Sequence, residues 1–118
     1  MSVYEMSQDE IEVCGKISDL INRLYNLVKK VGTRAIDSAE IQSEVADLGY
    51  EFLVLDNEAG DSETFEEVIY NLGEAIANGS IWANDFYRRG SKADDFYFEQ
   101  QAYGGKVVGW LISEDCYF

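Results

Sequence analysis

The stretch DNEAGDSETFEE, residues 56 to 67, carries six acids in twelve residues and no base. Carboxylates at that density are what a hard cation takes as ligands. The helix–loop–helix calcium pattern D-x-[DN]-x-[DN]-G-x5-E also spans twelve positions. Asp56 and Glu67 fit its two ends. Its interior does not fit: Glu58 stands where a short acid or amide belongs, and Gly60 occupies a ligand position. Asp61 occupies the place that needs a glycine, and Glu63 one that is usually apolar. No metal is therefore expected. The local expectation is a solvated turn. In it Asp61 or Ser62 caps the following helix, and Glu63, Glu66 and Glu67 favour the positive end of its dipole.

Other chemistry is thinly represented. The chain has no histidine, which removes the usual neutral-pH base and the commonest metal ligand. Cys14 and Cys116 lack an activating base nearby in sequence, and a reducing compartment argues against pairing them. The expectation is two small buried thiols. No phosphate-binding glycine loop is present. Neither catalysis nor a cofactor is expected.

Charge is the outlier. Twenty-three acids against nine bases give a net charge of −14 in 118 residues. That balance opposes direct binding to nucleic acid or anionic membranes and favours basic partners. No run approaches the length of a membrane span, and the first residues lack the basic-then-apolar pattern of a secretory signal, so a cytoplasmic protein is expected. Apolar residues make up 47%, enough for the core of a single domain over 1–118.

The elements that position these acids follow from periodicity. SQDE places Ser7 and Glu10 at capping-box spacing. Ile11, Cys14, Ile17, Ile21, Leu24, Val28 and Val31 then recur at helical intervals, with Gly32 as the stop. A second helix is expected from DSAE, its buried stripe being Ile41, Val45, Leu48, Phe52 and Leu55. A third begins at Asp61 or Ser62 and buries Phe65, Val68, Ile69, Leu72 and Ile76, with NGS at 78–80 closing it before a short helix, IWANDFYRRG. FYFEQQAY and KVVGWLI read as two strands joined at Gly104 and Gly105, a helix over 91–103 being the competing reading. The fold class expected is α+β, mainly α: three to four helices packed as a small bundle, then a C-terminal β-hairpin.

The acids are not evenly spread. Residues 35–87 hold thirteen acids and no base. On the second helix Glu40, Glu44, Asp47 and Glu51 form one row about 16 Å long. Each like-charged neighbour pair opposes the helix by about 0.2–0.5 kcal/mol, and nothing on that helix offsets it. The row continues into Asp56, Glu58, Asp61, Glu63, Glu66 and Glu67, and the ten carboxylates are expected to cover one end of a helical hairpin. Side chains four apart lie about 6 Å from one another, comparable with phosphates along a strand.

The function expected is a stoichiometric inhibitor whose acidic surface imitates nucleic acid. It would block a protein with a basic nucleic-acid-binding groove, such as a nuclease or a CRISPR or restriction effector, as phage anti-defence proteins do. An immunity protein against a nuclease toxin uses the same physics, and a small acidic adaptor or calcium-responsive protein is a third reading. Acidity for solubility is the plain alternative. The aromatics from Trp82 onward could add a Tyr- and Trp-rich anchor beside the acids.

Overall fold

The computed structural model describes residues 7–89 and 102–116, without the side chains of 85–89. Four helices lie among the described residues: α1 (Gln8–Gly32), α2 (Ser38–Ala59), α3 (Glu66–Arg89) and α4 (Gly104–Ser113). Helices α1, α2 and α3 each pack on the other two, and α4 packs on α3 and α1. The links over 33–37 and 60–65 are short, so neighbours run antiparallel.

Local chemistry sets the starts of α1 and α2. Ser7 Oγ accepts from the Glu10 N–H at 3.3 Å, and Glu10 Oε1 accepts from the Ser7 N–H at 3.1 Å. The capping box is thus complete. Asp37 Oδ1 accepts from the Glu40 N–H at 2.8 Å to begin α2. At the far end of α1, Gly32 is still helical. The chain turns out at Arg34, whose φ of 55° lies in the left-handed region. The Ala35 and Arg34 N–H groups then satisfy the Lys30 and Val31 carbonyls. The helix therefore ends at Gly32 as expected, with Arg34 rather than a glycine in the left-handed conformation.

The core follows the expected stripes on α1, α2 and α3. Ile17, Ile21, Leu24, Leu48, Leu55, Val68, Ile69, Leu72 and Leu111 form its centre. Ile11 is the exception on the α1 stripe, being 48% exposed. Leu20 and Leu27 widen that stripe instead.

Two expectations are corrected. The C-terminal β-hairpin is absent: Gly104 and Gly105 open α4, and KVVGWLI is helical. Along α4 Gly104, Val107 and Leu111 share a buried face, which is helical spacing. Among the described residues no strand edge is available for pairing, whereas a helix satisfies its backbone internally. The first half of the expected hairpin, 96–101, lies outside the described residues. NGS at 78–80 also fails to end α3, which runs on to Arg89. Gly79 is buried within the helix, and Ser80 Oγ donates to the Ile76 carbonyl of its own helix at 2.7 Å rather than capping a new one.

Among the described residues no helix is long and apolar enough to cross a membrane.

Candidate partner-binding surface

The ten acids singled out from the sequence fall on two flanks of α2, on the turn that follows it and on the first turn of α3. Because α2 is continuous to Ala59, Glu40 and Glu58 lie about 27 Å apart along its axis. The acids therefore line the length of the helix and do not gather at one end of a hairpin. Glu51 and Glu58 face the groove between α1 and α2, a hollow of about 450 Å³ lined also by Glu12, Asp19, Leu20 and Val54. Asp56 faces the opposite groove, between α2 and α3, together with Glu66, Glu74 and Tyr70.

The ten differ in what holds them. Two are paired with bases on α1: Lys16 Nζ donates to Glu58 Oε2 at 2.8 Å, and Arg23 donates to Glu51. Lys16 is held above its usual pKa chiefly by that hydrogen bond. The repulsion within the row is thus offset in part from the neighbouring helix, across a rung that repeats every seven residues on both helices of the pair (16 and 23 against 58 and 51). Three more acids, Glu40, Glu66 and Glu67, sit in first turns, where the helix dipole favours them.

Glu44, Asp47, Asp56, Asp61 and Glu63 have neither support. Among the described residues no ion pair reaches them. Asp47, Asp56, Asp61 and Glu63 are exposed, and Glu44 is half-buried. Asp56 stands in the last turn of α2, which holds no base, so the dipole there opposes it.

The path of the chain also departs from the calcium loop. Residues 56–59 are helical, and only 60–65 form the link to α3. A helical segment cannot wrap its alternate side chains around one ion as a twelve-residue loop does. Among the described residues no three acids or cysteines come together as a metal site would need. In the link, neither Asp61 nor Ser62 starts α3. The Ser62 carbonyl accepts from the Phe65 and Glu66 N–H groups, and the helix proper begins at Glu66.

Sequence reasoning missed a second component of this surface. Tyr50 is 70% exposed, Leu53 60% and Val54 42%. They lie three and four apart on the outer side of α2, beside the acidic flank. The run EFLVL hid them, since Phe52 and Leu55 of the same run pack inward. The aromatics expected to anchor a partner are placed differently. Trp82 is core, and Trp110 meets Phe65 edge-on with ring centroids 5.7 Å apart. The side chains of Phe86, Tyr87, Phe96, Tyr97 and Phe98 lie outside the described residues.

Cys14 and Cys116 are both buried thiols. Burial is the first cause that pushes the Cys14 thiol far up, with Cys116, Glu114 and Glu10 adding to it.

No family model, no curated protein and no solved structure matches the chain.

Proposed function

We propose that the protein is a non-catalytic, stoichiometric inhibitor that acts inside the cell by docking the outer side of α2 and the following turn onto a basic, nucleic-acid-binding groove. The observation that carries this reading is the set of exposed acids, Asp47 above all, held beside like-charged neighbours on α2 where, among the described residues, no ion pair relieves it. Rules of local stability are most often broken at sites that serve something else. The exposed Tyr50, Leu53 and Val54 supply the apolar contact that an acidic field alone lacks. Carboxylates steer the encounter and set its salt dependence, and the apolar strip resists dissociation. A phage anti-defence factor against a CRISPR or restriction effector is the biological role this surface suits.

The test is a pull-down with the tagged chain, with identification of what is captured, at low and raised salt. The expected result is a nucleic-acid enzyme that is released as salt rises. Asp47→Lys with Asp61→Lys should abolish its capture, because both acids are exposed and, among the described residues, neither is in an ion pair or a first turn. Capture that ignores salt and survives both substitutions would overturn the proposal.

A further inference from the structure

A pair of packed helices leaves a groove on each side of its line of contact. Between α1 and α2 one groove is filled by α3, which packs on both. The other is open. It is the hollow of about 450 Å³ described above, and every residue that lines it belongs to α1 or α2. Its middle is apolar. Leu20 lies between Lys16 and Arg23 on α1, and Val54 lies between Glu51 and Glu58 on α2, so the two ion pairs flank an apolar floor. Gly15 also lines the hollow. A glycine inside a helix costs stability relative to alanine, and at this position it leaves the α1 wall low.

Charge is arranged around that floor. Glu12 and Asp19 stand seven residues apart on the α1 rim, and Glu51 and Glu58 seven apart on the α2 rim. Lys16 is the one base among the lining residues. It and Glu58 are each about half exposed, and an ion pair so placed is worth little and yields to a competing cation. Among the described residues there is no strand, so the groove takes its occupant by side chains and not by backbone pairing.

On the reading that the acids of α2 meet a basic protein, we propose that this groove receives an amphipathic basic helix of that protein. The apolar face of the helix rests on Leu20, Val54 and Gly15, and its lysines or arginines reach the carboxylates of both rims. A helix lying along α1 and α2 repeats on this side the packing that α3 makes on the other. Apolar side chains three, four and seven apart follow the floor, and cations beside them meet acids at the same seven-residue interval. Recognition thereby extends from α2 onto α1, through Glu12 and Asp19.

The experiment uses the full chain and a synthetic peptide of about 18 residues, long enough to form a helix, with leucines three and four apart on one face and lysines elsewhere. A scrambled peptide of the same composition is the control. Calorimetry gives the affinities, and amide NMR shifts locate the peptide. The patterned peptide should bind about tenfold or more tightly than the scrambled one, shift the amides of Gly15, Leu20 and Val54, and weaken as salt is added. Gly15→Met fills the hollow without changing any charge and should weaken binding by about tenfold or more. Val54→Gln, at an exposed position, serves if the methionine variant does not fold. Equal affinity for the two peptides, affinity unchanged by the groove substitution, or shifts confined to residues 56–67 would each overturn the proposal. The reading beneath it fails separately. Capture of a basic protein that binds no nucleic acid, lost in Gly15→Met, would overturn that reading and uphold the groove. Capture of a nucleic-acid enzyme that Gly15→Met leaves intact would overturn the groove and uphold the reading.

Discussion

Helices α1 and α2 are antiparallel neighbours of 25 and 22 residues, each begun by a side-chain cap, yet they are used differently. Helix α1 is enclosed by α2, α3 and α4, buries eight side chains and carries Lys29 and Lys30 in its last turn. Helix α2 packs on α1 and α3, buries four and has no base in its last turn. Both the burial and the charge of α1 follow from folding. On α2 only the inner stripe does. Its outer half holds exposed acids and exposed Tyr50, Leu53 and Val54, none of which the fold requires. The contrast separates residues that make the bundle from residues available for a partner.

The sharpest way to break that separation is to truncate leucines on the two sides of α2. Leu48 is fully buried and Leu53 is 60% exposed. Leu48→Ala should destabilise by about 2–5 kcal/mol, through lost transfer energy and the cavity left behind. Leu53→Ala should stay within about 0.5 kcal/mol of the unsubstituted protein. Urea denaturation followed by far-ultraviolet circular dichroism measures both. A Leu53→Ala loss as large as that of Leu48→Ala would mean that the outer side of α2 belongs to the fold after all.

The inner stripe contains one close approach that glycine alone permits. A Cβ placed on Gly73 of α3 would lie 2.6 Å from Phe52 Cζ on α2. Gly73→Ala should therefore destabilise by about 1–3 kcal/mol, despite the better helix propensity of alanine. Adding Phe52→Leu should recover part of that loss, because the shorter side chain vacates the contact. Additive losses in this double-mutant cycle would show that the α2–α3 contact does not set the spacing of the two helices. By contrast, a Cβ at Gly49 in the middle of α2 meets nothing within 4 Å. Gly49→Ala should stabilise the protein by about 0.5–1 kcal/mol, read as a higher denaturation midpoint, since it restricts the unfolded chain and crowds no neighbour.

These cases also show what the sequence could reveal. The start of α1 was legible because Ser7 and Glu10 act on each other's backbone, three residues apart. The buried stripes of α2 and α3 were legible because a long amphipathic helix repeats its signal. The continuation of α3 through Asn78, Gly79 and Ser80 was not, since these residue types cap helices as readily as they pass through them. Tertiary burial of Gly79 decided between the two. The C-terminal apolar run was ambiguous for the same kind of reason: seven residues fit a strand or a helix, and the neighbours α1 and α3 decided it. Of the candidate surface, the acids were legible as a row. Their unequal support was not, because Lys16 and Arg23 lie 42 and 28 positions from the acids they meet. Leu53 and Val54 were hidden because an apolar residue in a helical run is ordinarily read as core.

The smallest expected effect on stability tests the functional side of the comparison most directly. Asp56→Lys removes an acid from the last turn of α2 and places a cation where the dipole favours one, worth about 0.3–1 kcal/mol. Asp47→Lys turns two like-charged neighbour relations, with Glu44 and Glu51, into attractive ones worth a few tenths of a kcal/mol each. Together they should raise the denaturation midpoint slightly at low ionic strength, and the gain should shrink as salt is added. Binding should move the other way. If the outer side of α2 docks on a basic groove, Asp47→Lys should weaken capture of the partner by at least tenfold, chiefly by slowing association, and Asp56→Lys, on the flank toward α3, should weaken it less. A protein made more stable and less able to bind is the signature of acids retained for recognition. Stability that rises while binding is untouched would assign the acids of α2 to solubility and leave Tyr50, Leu53 and Val54 to account for docking by themselves.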